Sequence, residues 1–447
     1  MRIKLPSGVK FILDTLAAQG KEAYIVGGCV RDAYLGKSPH DWDICTSALP
    51  EETTTIFTQA GYKVIPTGIQ HGTVTVRIKD KGYEVTTFRE DGDYSDGRHP
   101  DSVKFVRSLQ NDLARRDFTM NAMAYSPATG LIDPFNGRKD IRNKVIRCVG
   151  RPEVRFCEDA LRIMRAVRFA AVTGFVLEDS TRYEAWSLAS CLEEVAWERK
   201  QKELVTLLQG EYAGMALRKH KDILAWVIPE IRPCFGFAQN NPYHVYDVWE
   251  HTVHAVEAAS AQDVIVRLAL LLHDIGKPLC YEEDENGVGH FHGHGEVSQE
   301  IARQVLARLR FDTDTLETVS ELVGIHDRRF EATPKAVRKF MGQIGPEQYF
   351  RFLEVRAGDI QAQSPELVDN RMEKVAKLRQ IGQEILAEKQ CISLRDLAVN
   401  GHDLIATGMK PGPEMGRVLN ALLDRVIEDP TLNKKEALLK LCEEETR

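Results

Sequence analysis

The 447-residue chain has no apolar run long enough to span a bilayer; stretches such as Leu268 to Leu272 fall far below the roughly 20 residues a membrane helix needs. No apolar segment followed by a small-residue cleavage site comes after Met1 to Leu5, so secretion is not expected. Paired cysteines are also missing. Cys29, Cys45, Cys148, Cys157, Cys191, Cys234, Cys280, Cys391 and Cys442 are odd in number, and no two are separated by two residues, so neither a disulfide framework nor a cysteine zinc site is expected. The pattern fits reduced, mostly structural thiols in a cytoplasm. No internal repeat or low-complexity segment is visible. A basic excess is lacking too: the net charge of −7 argues against non-specific nucleic-acid binding by the surface as a whole.

What the chain does have is local. From Arg138 to Arg168, ten Lys/Arg face four Asp/Glu, a balance of +6 within an acidic protein. Such asymmetry suits a phosphate-binding track, although a solvated helix face has the same composition. The first 145 residues read as α/β. Helical periodicity over Phe11 to Ala18 stops at Gly20, and Ala23 to Val26 reads as a short strand. Arg31 to Leu35 opens a helix, and Trp42 to Cys45, Gly72 to Ile78 and Tyr83 to Phe88 read as strands. From about residue 155 the signal is helical. Breaks near 229–243 and 385–395 divide the chain into expected domains at 1–145, 146–235, 236–385 and 386–447.

Asp41-Trp42-Asp43 is the first chemical signal. On a strand, residues i and i+2 share a face, so the two carboxylates are expected side by side, where their repulsion calls for a divalent cation such as Mg2+. A bare pair of this kind is common at exposed strand ends. Here Gly27-Gly28 precedes it at an expected strand-to-helix turn, where backbone can approach a triphosphate, and Arg31 adds a fork-shaped phosphate ligand. Glu84, on a neighbouring expected strand, is either a third carboxylate or an ordinary strand-end glutamate.

The residues Ile25 to Asp32, His40 to Asp43, Arg115 to Ala122, Asp133 to Gly137 and Arg155 to Arg162 together resemble the class II tRNA nucleotidyltransferases, the CCA-adding enzymes of the DNA polymerase beta superfamily. That resemblance implies a polymerase beta-like α/β head over 1–145 and a helical neck for base selection and RNA binding over 146–235. It implies that Gly28 and Arg31 contact nucleotide, that Asp41 and Asp43 hold Mg2+, with Glu84 a candidate third catalytic carboxylate, and that Arg116 meets the triphosphate or sugar. Substrates would be tRNA, CTP and ATP.

Asp159, Arg162, Arg165 and Arg168 recur every three residues and are expected along one helix stripe facing the nucleotide. Asp159 can accept from the exocyclic amine of cytosine or adenine while Arg162 donates to the ring nitrogen; uracil and guanine present the opposite order. The same spacing also describes a surface ion pair, and the family resemblance favours base selection. Arg89 to Lys104, rich in glycine and aspartate, reads as a mobile loop. In the family a loop here accompanies addition of the terminal A, which argues against a CC-only enzyme.

Eight of the 13 histidines lie between 244 and 326. His251, the His273-Asp274 doublet and Asp359 resemble the HD phosphohydrolase superfamily, which implies a second divalent metal in 236–385 and, with it, phosphohydrolase chemistry. His294 and His326 are further candidate ligands or phosphate contacts. The tail, Ala398 to Leu404 and Gly408 to Gly416, resembles the family's tRNA-binding segment, with Asn400 or Asp403 expected to cap helices. The expectation is thus a tRNA nucleotidyltransferase adding C, C and A. Its alternatives are an A-only enzyme, a poly(A) polymerase, which the terminal Glu443 to Glu445 disfavour, or an RNA-binding HD phosphohydrolase. Oligomeric state is not legible.

Overall fold

The computed structural model describes residues 2–39, 41–92, 103–260 and 262–445. His40 and positions 93–102 of the expected mobile loop lie outside these residues, as do the side chains of Glu443 to Glu445. The chain gathers into two compact units, Met1–Pro229 and Glu230–Arg447.

In the first unit, α1 (Ser7–Ala18) buries Val9, Ile12, Leu13 and Leu16, the i, i+3, i+4, i+7 stripe of an amphipathic helix. It ends at Gly20, whose φ of +68° no longer fits a helix. The strands β1 (Ala23–Val26), β2 (Asp43–Thr46), β3 (Lys63–Gly68), β4 (Thr73–Ile78) and β5 (Lys81–Thr87) follow, with α2 (Gly28–Tyr34) and α3 (Pro50–Gln59) between them. After β6 (Arg89–Asp91), β7 (Val103–Phe105) and α4 (Leu109–Ala114) come β8 (Ala124–Ser126) and β9 (Gly130–Ile132).

Seven of these strands form one sheet in the order β3-β4-β5-β2-β1-β8-β9. β2 and β5 pair in parallel, Ile44 opposite Val85, and the other neighbours are antiparallel. All four residues of β1 are buried, as its apolar composition requires of a central strand covered on both faces. Tyr24, Val26, Cys45, Phe88, Leu113, Ala122, Ala124 and Val149 pack into a cluster against it, which fixes the ends of β1 and β2 from which the candidate site projects. At the described ends of the expected loop after Phe88, β6 and β7 pair antiparallel, Arg89 opposite Phe105.

Apart from a short parallel pair, Val145–Ile146 with Val176–Leu177, the rest of the first unit is helical: α5 (Gly137–Arg142), α6 (Pro152–Glu158), α7 (Leu161–Thr173), α8 (Asp179–Ser187), α9 (Trp197–Leu208), α10 (Ala213–Lys219) and α11 (Lys221–Leu224). The second unit holds α12 (Val248–Ala258), α13 (Val264–Leu272), α14 (His294–Arg308), α15 (Thr313–Ile325), α16 (Pro334–Ile344), α17 (Pro346–Gln361) and α18 (Pro365–Ala387). Gly358 lets α17 approach α12 and α13, since a Cβ there would stand 2.8 Å from Leu270 Cδ1 and 3.0 Å from the Ala255 carbonyl oxygen. The tail helices α19 (Gly401–Ala406), α20 (Pro413–Glu428) and α21 (Lys435–Glu445) enclose Leu404, Val418, Leu422, Val426 and Leu438. Asn400 and Asp403 cap α19 reciprocally. The Asn400 side chain accepts from the N–H groups of His402 and Asp403, and the Asp403 carboxylate accepts from that of Asn400. No described helix is long and apolar enough to cross a membrane.

Candidate functional site

The turn from β1 into α2 is made by Gly27, whose φ of +77° and ψ of −134° suit only glycine. Its missing side chain leaves room: a Cβ would stand 3.0 Å from Arg116 Nη1 and 3.8 Å from Asp43 Oδ2. The glycine turn, the arginine and the carboxylate therefore converge, though Arg116 lies 89 positions after Gly27 in the sequence.

Asp43 is the first residue of β2, and Asp41 precedes the strand. Pairing with β1 starts at Asp43, so Asp41 stands two residues ahead of Asp43, just outside the paired strand. The two carboxylates nevertheless act on each other. Desolvation, opposed by Arg116 and reinforced by Asp41, holds the Asp43 carboxyl above its ordinary value. Glu84 stands one residue before Val85 on β5, exposed, and the charges acting on Asp43 come from Arg116 and Asp41 instead. Oxygen donors carrying two negative charges beside a single guanidinium fit a hard dication such as Mg2+.

A polar chain ties the glycine turn to α7. Arg31 Nη1 donates to Asn121 Oδ1 at 2.7 Å, Asn121 Nδ2 donates to Asp117 Oδ1 at 3.0 Å, and Arg165 donates to Asp117 Oδ2 through Nε and Nη2 at 2.9 and 2.6 Å. Burial pushes the Asp117 carboxyl up, but Arg165 and the bonds from Asn121 and the Phe118 N–H outweigh it and hold it well below the carboxylate range. Arg31, Arg165 and Arg168 stack around Phe169, their guanidinium carbons 5.1, 5.6 and 3.8 Å from the ring centre. Glu203 on α9 offsets part of this charge, 2.7 Å from Arg168 Nε. Arg116 and Arg115 both reach the buried carboxylate of Asp112, Arg116 at 3.4 Å and Arg115 at 2.9 Å.

Asp159 does not lie on the helix stripe expected of it. It sits in extended conformation (φ −150°, ψ 101°) in the break between α6 and α7, while Arg162, Arg165 and Arg168 are on α7. Nor does it pair with Arg162. Arg199, at the start of α9, grips Asp159 with two parallel bonds, Nη1 to Oδ1 at 3.2 Å and Nη2 to Oδ2 at 2.8 Å. Arg162 is instead fixed by Glu158 and by the carbonyl oxygens of Arg155 and Arg115, at 3.0 and 3.2 Å. The residues sequence reasoning passed over are thus the holders: Asp112, Asp117, Asn121, Arg199 and Glu203. Asp117 and Asn121 lay within a motif already singled out, but Arg199 is 40 residues from Asp159 and no local spacing points to it.

In the second unit, His251 from α12, His273 at the end of α13, Asp274, His294 at the start of α14, His326 at the end of α15 and Asp359 from α17 converge. His251 Nε2 lies 3.2 Å from Asp274 Oδ2 and 3.1 Å from Asp359 Oδ1; His273 Nε2 lies 3.1 Å from Asp274 Oδ2. On the other side of Asp274, Oδ1 faces His294 Nε2 at 3.4 Å and His326 Nε2 at 3.6 Å. All of these except His294 and Asp359 are at most 2% exposed. Both Asp274 oxygens are buried without a properly oriented hydrogen bond, despite these close neighbours and Lys277 Nζ at 2.7 Å. Burial disfavours charge on His251, yet Asp274 and Asp359 outweigh it and raise that imidazole to about 9. A crowded set of imidazole and carboxylate donors around the buried Asp274 carboxylate fits a divalent metal.

Comparison with known proteins bears on the whole chain. Residues 23–147 match the family model of the poly A polymerase head domain, and residues 289–442 match that of tRNA nucleotidyltransferase domain 2. The CCA-adding enzyme of Leuconostoc citreum is 34% identical over 444 residues, covering 97% of this chain and 94% of that protein. The Geobacillus stearothermophilus CCA-adding enzyme is 52% identical over 206 residues, 46% of this chain and 50% of that one. Among solved structures, the Bacillus stearothermophilus CCA-adding enzyme in complex with CTP superposes with a TM-score of 0.75 at 32% identity, covering 100% of this chain and 98% of the other. The Thermotoga maritima CCA-adding enzyme complexed with tRNA shares the fold, with a TM-score of 0.63 at 19% identity over 99% of this chain and 100% of that one. With its mixed-sheet head, its helical body and this full-length likeness, the chain belongs to the class II CCA-adding enzymes, the tRNA nucleotidyltransferases.

Proposed function

We propose that the chain adds C, C and then A to the 3′ end of tRNA from CTP and ATP, without a nucleic-acid template, at the site formed by Gly27, Gly28, Asp41, Asp43 and Arg116. The observation that carries this reading is the convergence of Gly27, Arg116 and Asp43, with Arg116 and Asp41 both acting on the Asp43 carboxylate. Magnesium bound there supplies charge neutralisation on both the attacking hydroxyl and the departing pyrophosphate. Asp41 and Asp43 hold the cations, and Arg31, Arg116, Arg165 and Arg168 balance triphosphate charge. Asp159 and Arg162 read the pairing edge of the incoming base. Each is pinned from behind, by Arg199 and by Glu158, so rejecting UTP or GTP rests on a preset donor and acceptor order. The segment 1–145 acts as catalytic head, 146–235 as base-selecting neck and 386–447 as tRNA-binding tail. The enzyme works in the cytoplasm, where its buried thiols stay reduced; burial pushes Cys29 and Cys148 up to about 12.

The segment 236–385 carries a second activity in this reading: a divalent metal held by His251, His273, Asp274 and Asp359, serving hydrolysis of a phosphoester. Its support is the buried carboxylate of Asp274 with the imidazoles of His251 and His273 crowded against it.

The nucleotidyl-transfer reading is tested by Asp41→Ala and Asp43→Ala. Each should abolish magnesium-dependent incorporation of labelled CMP while tRNA binding persists. Normal turnover in either variant sinks the metal assignment.

A further inference from the structure

We propose that the second unit carries a nucleotide-binding pocket apart from the histidine cavity, in which Phe330 takes the base of a nucleoside di- or triphosphate and Arg328, Arg329, Arg356, Arg371 and Lys374 take its phosphates.

Three segments build this pocket. Arg328, Arg329 and Phe330 follow the end of α15, and Phe352, Arg356 and Ile360 recur every four residues on α17. Arg371, Lys374, Val375 and Leu378 have the i, i+3, i+4, i+7 spacing of one face of α18. Of the ten lining residues five are cations, and none is an acid. Their partners are neutral. Arg356 Nη1 donates to the His326 carbonyl oxygen at 3.1 Å, Arg328 Nη2 donates to Gln343 Oε1 at 3.2 Å, and Arg371 donates to Gln363 Oε1. The guanidinium carbons of Arg328 and Arg371 lie over the rings of Phe340 and Tyr243, 4.6 and 5.2 Å from their centres. The exposed side chains of Arg329 and Lys374 make no hydrogen bond or ion pair among the described residues.

That is unlike the first unit, where shielded arginines meet carboxylates: Arg165 meets Asp117, Arg168 meets Glu203, and Arg199 meets Asp159. Arg356 is shielded without such a contact. Burial works against its charge, and Arg329 and Arg371 push the same way, opposed by Asp359 and Asp327. Cations crowded around a wall that holds no acid call for an anion.

The class of anion follows from the rest of the wall. Inorganic phosphate has no use for an apolar floor, and here Phe330, Phe352, Val375 and Leu378 supply one. Phe330 is backed by Phe352, their rings 6.2 Å apart and inclined by 29°, so a flat base has a supported ring to stack on. The volume, about 180 Å³, is below the roughly 300 Å³ at which pockets begin to enclose whole ligands, so the base enters and the phosphates rest on the cationic rim. An RNA strand brings one negative charge per nucleotide and would leave most of the five cations unanswered. A di- or triphosphate concentrates several charges at one point.

Arg329, Arg356, Ile360 and Arg371 line both this pocket and the histidine cavity and so stand between them. No histidine lines the pocket, nor does Asp274 or Asp359, and Arg328, Phe330 and Lys374 belong to it alone. Substitutions at those three positions therefore probe it without touching the other cavity.

The test is calorimetric titration of the full chain with GDP in excess chelator, which removes metal-dependent binding elsewhere; guanine is also a base that the proposed head site rejects. One equivalent should bind. Lys374→Glu reverses an exposed rim charge, and Phe330→Leu keeps an apolar side chain but removes the flat ring. Each should weaken binding at least tenfold while leaving CMP incorporation into tRNA unchanged, which shows the variants folded. No saturable binding in the parent, or binding that both variants retain, overturns the pocket. Pyrophosphate binding as tightly as GDP overturns the role of the base. A single-stranded RNA that displaces GDP at a lower concentration than GDP itself would assign the pocket to RNA and overturn the ligand class.

Discussion

Replacing Arg199 with Met isolates the holding of Asp159 from the reading of the base. Asp159 has two oxygens and about four acceptor positions. Arg199 fills two of these with its fork and the Leu161 N–H fills a third at 3.1 Å, which leaves one for an exocyclic amine. Asp159 lies outside either helix, so its direction depends on that fork. Both side chains are largely shielded, at 22% and 15% exposure. Charge-assisted hydrogen bonds are worth about 1.5–3 kcal/mol, and a misplaced acceptor forfeits about 1–3 kcal/mol of discrimination. At 1.4 kcal/mol per tenfold, Arg199→Met should lower kcat/KM for CTP by about 5- to 150-fold. UTP incorporation should change little, so the CTP:UTP preference should shrink by a similar factor. Arg199→Lys, a point charge without the fork, should fall between. Single-nucleotide incorporation on tRNA lacking its 3′ end, with each triphosphate in turn, measures this. An unaltered CTP:UTP ratio in Arg199→Met, with Asp159→Ala altering it, would show that Asp159 needs no holder. An unaltered ratio in both would remove Asp159 from base choice.

Two further outcomes follow from the same site. Gly27→Ala should cost about 1–3 kcal/mol from its positive φ, and its Cβ, 3.0 Å from Arg116 Nη1, should push that guanidinium off Asp43 and raise the KM for CTP. Steady-state kinetics and thermal unfolding read the two effects. Arg165→Met leaves the buried Asp117 without its guanidinium partner, holding only the bonds from Asn121 and the Phe118 N–H, at a cost near the lower end of the usual 3–5 kcal/mol because Arg165 is 34% exposed. In the parent, the depressed Asp117 carboxyl adds stability above the unfolded value of about 3.9, and this is lost only as pH falls through the folded value. In the variant, burial dominates and the carboxyl rises, so the sign reverses and the protein should be more stable at pH 5.5 than at pH 8 by thermal melts.

Local signals located the elements, and long-range pairing decided the rest. Ala23 to Val26 was legible as a strand because four apolar residues end at a glycine pair, and the structure has β1 over the same residues. Asp41 and Asp43 were legible as a pair, but period-two alternation assumes a strand already formed, and β2 starts only where β1 offers a partner. Asp159 fits a three-residue stripe in the sequence, yet its backbone is extended at the break between α6 and α7. Arg199 carried no local mark at all. The histidines were countable, but a sequence does not show which of them meet, and the structure brings His251, His273, His294 and His326 around Asp274.

The central claim is tested most directly with purified enzyme, labelled CTP and ATP, and one tRNA prepared one, two or three nucleotides short of its 3′ end. The substrate short by three should gain two C from CTP alone, gain the final A only once ATP is added, and then stop. Failure to extend it, addition of A alone to the substrate short by one, or growth of a long A tail would each contradict the account.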